Sequence, residues 1–280
     1  MKRIRPICNW SDSQALMELI ERQYAPTCTD RTFQWALYGQ VDGYVIFNQA
    51  PKGFNEAKEK VLGIIQEPPD HNFADHRMRW AGKVISCYER PDAELLPSMF
   101  YQLSGNHDLH KQDYSGQKVH RMSMVASNIR GGFYEKRHNL IKAILKTDMD
   151  IHIYGRGLEA IYHDPRVKGS IQHKQDALVP YEYSICVENG LHRGYTSDKL
   201  TDAIICQSVP MYLGSWDSAK RAFSNCFIDL SIHTDEAMHT IKHTYHHGQY
   251  SNHADQLKVG KMLYFSRNIL TEINRWAATL

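Results

Sequence analysis

Short, wholly apolar runs recur along this chain. Each is stopped by polar or turn-forming residues, and helix-forming stretches lie between them. Val61-Leu-Gly-Ile-Ile65 is the clearest, ended by Gln66-Glu67-Pro68-Pro69. A run that is apolar on both faces suits a strand covered on both sides, the setting of a parallel sheet. Residues 4–7, 43–47 and 84–88 read as further strands of the first half. Ser11 is a candidate N-cap for a helix carrying Leu16, Leu19 and Ile20 at helical spacing. Residues 54–60 read as a short helix, and the polar, turn-rich stretch 104–118 reads as a linker. The rhythm then restarts. Strands are predicted over 122–126, 150–154, 183–187, 210–213 and 227–230, and helices over 134–145, 198–206, 234–243 and 267–278. Such alternation implies parallel sheets with covering helices. The expectation is an α/β chain of two Rossmann-like domains facing across a cleft. Residues 1–120 would form the first and 121–262 the second, with a terminal helix in 263–280 placed against the first.

Composition narrows the function classes. Among 280 residues, 33 Lys and Arg face 31 Asp and Glu, a net charge of +2. That excludes a strongly basic nucleic-acid coat and an acidic tail protein. Basic residues do not cluster with aromatics in any segment, so no nucleic-acid partner is expected. No run approaches 18 apolar residues, so no membrane span is encoded. The opening MKRIRPICNW has no apolar stretch behind its basic residues, so it does not read as a secretory signal, and a cytoplasmic location is expected. The six cysteines are scattered without a Cys-x-x-Cys pair and read as reduced thiols. His239, His243, His246 and His247 have tempting spacings but read as solvated imidazoles on a polar helix running into a loop.

Ligands of open parallel sheets bind beyond the carboxyl ends of the strands, so residues just after each strand matter most. Residues 181–214 are the richest such stretch. A buried strand runs into Glu188-Asn189, and a loop with Gly190 and Gly194 follows. Tyr195, Thr196, Ser197, Asp198 and Lys199 then open an amphipathic helix. Thr196 or Ser197 can cap that helix, its first-turn amides can meet an anion, and Lys199 adds a positive charge there. Asp198 offers an acceptor to a sugar hydroxyl, and Tyr195 can stack or donate. Two readings stand at this point: a nucleotide site, or a capped helix with a solvated lysine. Neither a Gly-x-Gly-x-x-Gly fingerprint nor a P-loop is present, and Gly155-Arg-Gly157 is too short to be one.

This stretch resembles the signature of the family-ten glycosyltransferases, the α-1,3/4-fucosyltransferases. Tyr183, Glu188-Asn189, Tyr195, Ser197-Asp198-Lys199 and Val209-Pro210 through Gly214 carry the likeness. Ser197 stands for the family's usual Thr and Asp198 for its usual Glu. The shorter Asp carboxylate alters reach toward the donor by about one methylene. Upstream, Val125-Ala-Ser-Asn128 is similar to the segment that opens the family's donor domain, and residues 150–155 resemble its next strand. Arg137 best matches an arginine that meets the donor phosphates in that family, with Arg130 as the rival. Gly63-Ile-Ile-Gln-Glu-Pro-Pro69 is similar to the family's strand ending in its catalytic base. The likeness is strongest over 125–230, and the first 50 residues carry none of it.

The resemblance implies a GT-B architecture and inverting transfer of L-fucose from GDP-fucose to a glycan hydroxyl, with an α-1,3-type linkage. Glu67 would be the base. Arg137 and Lys199 would meet the diphosphate. Asn128, Glu188, Asn189, Tyr195, Ser197 and Asp198 would complete the donor site, with Glu188 bonding the fucosyl hydroxyls. These side chains would do the work of a cation, so no metal site and no essential divalent metal are expected. Acceptor choice would rest on residues 68–80 and 104–118. Two alternatives keep the fold: another GDP-sugar as donor, or a catalytically silent nucleotide- or sugar-binding protein.

Overall fold

The structure is a computed structural model that describes residues 1–69, 74–103 and 108–280. Two six-stranded sheets, each parallel throughout, account for the alternation. The first contains β1 (Lys2–Ile7), β2 (Phe33–Trp35), β3 (Gly43–Phe47), β4 (Val61–Ile65), β5 (Lys83–Ser86) and β6 (Glu94–Leu95), in the order β2-β1-β3-β4-β5-β6. The second contains β7 (His120–Val125), β8 (Ile151–Tyr154), β9 (Val167–Gly169), β10 (Tyr181–Val187), β11 (Val209–Leu213) and β12 (Ile228–Asp229), in the order β12-β11-β10-β7-β8-β9. Every residue of β4 and β11 is buried, as the unbroken apolar runs imply.

Seven α-helices accompany the sheets among the described residues: α1 (Ser13–Tyr24), α2 (Tyr134–Leu145), α3 (Asp198–Ile205), α4 (Trp216–Phe223), α5 (Thr234–His247), α6 (Ser251–Ser266) and α7 (Ile269–Ala277). The cap of α1 is Asp12, not Ser11: its carboxylate accepts the Ala15 amide at 2.8 Å. Residues 54–60 form only a 3₁₀ turn at Lys58–Lys60 rather than a helix. The histidine stretch after 243 stays helical through His247, and a second helix, α6, follows where a loop was expected. The buried residues of α6 include Gly260 and Lys261 beside Leu257, Tyr264 and Phe265, which breaks the apolar stripe that would announce the helix. Residues 104–107 of the expected linker lie outside the described residues, as do 70–73 of the 68–80 stretch.

The chain crosses back toward the first sheet at Arg267-Asn268, after α6. A capping box of Asn268 and Thr271 starts α7. Asn274 then accepts the Thr32 amide at 2.7 Å and donates to the Asp30 carbonyl, fixing this helix beside β2. All six cysteines are free thiols.

Candidate active site

Each sheet reverses its strand order once, and those reversals face one another. In the second sheet β7 lies between β8 and β10, so its switch point falls where Ser127-Asn128 and Glu188-Asn189 leave the sheet. In the first sheet the reversal falls between β1 and β3, where Asn9-Trp10 and Asn48 emerge. A cleft of about 730 Å³ lies between them. Its first wall includes Trp10, Asn48, Glu67 and Gln102, and its second includes Asn189, Tyr195, Ser197 and Asp198.

Glu67 stands two residues beyond β4. Asn48, held at φ 61°, accepts the Gln66 amide on its side-chain oxygen at 2.9 Å. The Asn48 amide in turn donates to the Ile64 carbonyl at 2.7 Å. An Asn adopts this left-handed conformation more readily than most residues. The latch fixes the exit of β4, and Glu67 with it, on the cleft wall.

Opposite, Arg137 on α2 is 3 % exposed and ties three segments together. Its Nε donates to the Val187 carbonyl at 3.1 Å, one terminal nitrogen donates to Ser127 Oγ at 3.2 Å, and the other donates to Asn189 Oδ1. Burial draws its pKa below the ordinary value, against the opposing charge of Glu188. Arg130, its rival, is half-exposed and pairs with Glu135 at 3.7 Å instead. Asn128 is exposed beyond β7. Gly155 leaves β8 at φ 155° so close to β7 that an added Cβ would lie 1.7 Å from the Ala126 carbonyl oxygen. The Gly155-Arg-Gly157 turn therefore serves close strand packing.

Glu188 has no exposed surface. Its carboxylate accepts the Ser197 amide at 2.8 Å, the Ser197 hydroxyl at 2.6 Å and the Tyr212 hydroxyl at 3.1 Å. Lys199 Nζ lies 3.8 Å from it and 3.2 Å from Ser197 Oγ. Glu188 thus folds the 189–197 loop, and in this structure its oxygens are committed to protein donors rather than turned to the cleft. Lys199 stands behind Ser197, which caps α3 through the Lys199 amide at 3.3 Å. Tyr195 is buried at the cleft wall; desolvation, and then the Glu188 charge, push its phenol well up.

The loop is also clamped from the first domain. The Glu89 amide donates to the Arg193 carbonyl at 2.9 Å, and the Ser98 amide donates to the Thr196 carbonyl at 3.1 Å. Gly194, at φ 83°, passes so close that a Cβ would lie 2.4 Å from the Glu89 nitrogen. Ser98 Oγ meets Thr201 Oγ1 at 2.7 Å.

Two groups at this site escape a reading by sequence. Lys174, from the connection between β9 and β10, reaches Asp198 at 2.5 Å and Asp202 at 2.7 Å. Asp202 is fully buried and accepts the Gln102 amide of the cleft wall at 3.1 and 3.2 Å. A signal existed for Asp202: it is a carboxylate inside the apolar run of α3, one turn after Asp198, and such a charge needs a buried partner. Nothing in spacing pointed to Lys174 as that partner.

The chain holds one Asp-x-Asp triplet, Asp148-Met149-Asp150, a spacing used elsewhere to bind a cation. It precedes β8 at the opposite end of the sheet from the cleft, with Met149 buried and Asp150 beside His152 at 3.2 Å. Among the described residues no group of three or more His, Cys, Asp or Glu is arranged to hold a metal ion. No helix of the described residues is long and apolar enough to cross a membrane.

Residues 115–247 match the model of the glycosyltransferase family 10 (fucosyltransferase) C-terminal domain. This segment is similar to that family's C-terminal domain. It includes Asn128, Arg137, Glu188, Asn189, Tyr195, Ser197, Asp198 and Lys199. An α-(1,3)-fucosyltransferase FucT of Helicobacter pylori is 31 % identical over 80 residues, 28 % of this chain and 17 % of that protein. The match thus spans about a sixth of the length of that curated relative. An α1,3-fucosyltransferase solved with GDP-fucose superposes with a TM-score of 0.57 at 16 % identity, over 99 % of this chain and 89 % of that one. An α-glucosyltransferase solved with UDP and a 13-mer DNA gives a TM-score of 0.58 at 11 % identity, over 99 % of both chains. Likeness at such identities concerns the fold, and the fold is the GT-B arrangement of two Rossmann-like domains.

Proposed function

We propose that this protein transfers L-fucose from GDP-fucose to a hydroxyl of a glycan, with inversion at the sugar carbon and an α-1,3-type linkage. One observation carries the reading. Glu67 of the first domain lines the same cleft as Asn189, Tyr195, Ser197 and Asp198 of the segment that matches the family 10 model. The Helicobacter pylori relative bears the name of this activity, and a fold neighbour was solved with this donor.

In this mechanism Glu67 accepts the proton of the acceptor hydroxyl as its oxygen bonds to the anomeric carbon. The bond from that carbon to the GDP oxygen breaks on the opposite face, and the leaving diphosphate takes the electron pair. A single displacement from the rear inverts the centre. Asn189 and the amides opening α3 receive the donor, and Arg137 fixes Asn189 while adding positive charge close to the diphosphate. Asp198 accepts from the ribose hydroxyls. Glu188 acts through the loop it folds, and Lys199 adds its charge behind Ser197. These groups stabilise the leaving diphosphate without an essential divalent ion. Around Glu67 the opposing wall carries neutral amides and aromatics, Trp10, Asn48, Phe100 and Gln102 among them, which suit an uncharged glycan acceptor.

Calorimetric titration with GDP-fucose, GDP-mannose and UDP-galactose, each with and without EDTA, tests the donor. GDP-sugars are expected to bind in preference to UDP-galactose, unaffected by EDTA, with GDP-fucose turned over on a glycan array. Preference for UDP-galactose, or binding abolished by EDTA, would overturn the reading.

A further inference from the structure

Asp198 and Asp202 lie one turn apart on the same side of α3, and both are buried or nearly so. Two carboxylates at this spacing repel each other, and a buried charge without a partner is strongly unfavourable. A single ammonium resolves both problems. Lys174 Nζ donates to Asp198 Oδ2 at 2.5 Å and to Asp202 Oδ2 at 2.7 Å. Beyond that cation the two carboxylates face different ways. Asp198 lines the cleft on the donor wall, while Asp202 accepts the amide of Gln102, which lines the cleft on the opposite wall. Lys174 itself does not line the cleft.

We propose that Lys174 is a positioning residue: it holds the Asp198 carboxylate in the orientation that receives the donor's vicinal hydroxyls, and through Asp202 it locks α3 to the acceptor wall at Gln102. This rests on the donor reading given above. Asp198 is a short side chain at a position where reach toward the donor matters, and an ion pair on one oxygen fixes its rotamer while the residue borders the cleft. Burial opposes each charge of the triad. The paired carboxylates nonetheless raise Lys174 against the burial that would lower it, and Lys174 with Lys199 holds Asp198 below the usual carboxylate range, whereas burial and the neighbouring Asp198 push the fully buried Asp202 up to about 6. Asp198 therefore stays an acceptor for hydroxyl donors.

The test compares wild type, Lys174→Met, Lys174→Arg and the charge-balanced pair Lys174→Met/Asp202→Asn. The pair removes the uncompensated buried charge and keeps the experiment informative if Lys174→Met alone does not fold. GDP dissociation constants come from calorimetry, and donor KM and kcat from turnover. Lys174→Met and the charge-balanced pair are expected to weaken GDP binding and raise donor KM by about tenfold or more, the scale of losing a charge-assisted contact. The arginine variant is expected to recover most of that loss. Asp198→Asn should cost much less in the Lys174→Met background than in wild type. If wild type binds GDP and the charge-balanced pair binds it equally well, the proposal for Lys174 is overturned while the donor reading stands. If wild type does not bind GDP at all, the donor reading itself falls, and this proposal with it.

Discussion

Replacing Glu188 with Gln separates two roles for a residue of the segment that matches the family 10 model. The carboxylate has no exposed surface and accepts three hydrogen bonds, two from Ser197 and one from Tyr212, with Lys199 3.8 Å away. Hydrogen bonds to a charged group contribute ~1.5–3 kcal/mol each against ~1 for neutral pairs. An amide retains the shape but loses the charge, and it places an NH₂ group where the Ser197 hydroxyl now donates. Losing about 1 kcal/mol at each of three contacts gives a destabilisation of about 3 kcal/mol. For a chain of this size that corresponds to a melting temperature lower by roughly 6–9 °C. Thermal unfolding of the ligand-free variant is the assay, because no donor is then present to be missed. GDP affinity should fall as well, since the same carboxylate shapes the loop that carries Tyr195. An unchanged melting temperature together with a loss of transfer alone would refute this reasoning. It would place Glu188 on the substrate rather than on the loop.

Two other outcomes follow from the same geometry. Arg137→Lys leaves one donor group where three acceptors on different segments are now satisfied, so Asn189 loosens; GDP should bind about 10–100-fold more weakly by calorimetry, with the fold retained by circular dichroism. Lys118 and Lys261, which donate to the carbonyls of Val179 and Cys206 and of Gln112, are pulled by burial to pKa values of about 8. Between pH 8 and the ordinary lysine range the unfolded chain holds more protons than the folded one, so these two groups make stability rise with pH there. Denaturant unfolding of wild type against Lys118→Met/Lys261→Met should show that rise lost in the variant; parallel pH profiles would contradict it.

The long interior strands were legible because both of their faces are covered. β4 and β11 read as continuous apolar runs that need no partner to be recognised, and Ile185-Cys-Val187 does the same at the end of β10. The edge strands β2, β6 and β9, two or three residues long, are too short for any periodicity to appear. Helix α6 was hidden because a glycine and a lysine occupy its buried face. At the site, the turn from Glu188 to Lys199 announced itself through a strand end, two glycines and a helix cap in one contiguous stretch. Glu67 stood out as a carboxylate after a buried strand. Lys174 could not be found that way. It meets Asp198 across 24 residues, and only the fold makes them neighbours. The inward orientation of Glu188 was equally invisible, since a strand-end glutamate can face the ligand or the loop behind it.

The central claim is that one carboxylate of the first domain acts as base on a donor held by the second. Glu67→Gln measures it most directly, with GDP-fucose affinity from calorimetry and transfer from product formation on a glycan acceptor. Donor affinity should stay within about twofold of wild type while transfer falls by ~10²–10⁴-fold, the usual contribution of a general base. Transfer at the wild-type rate in that variant would contradict the account.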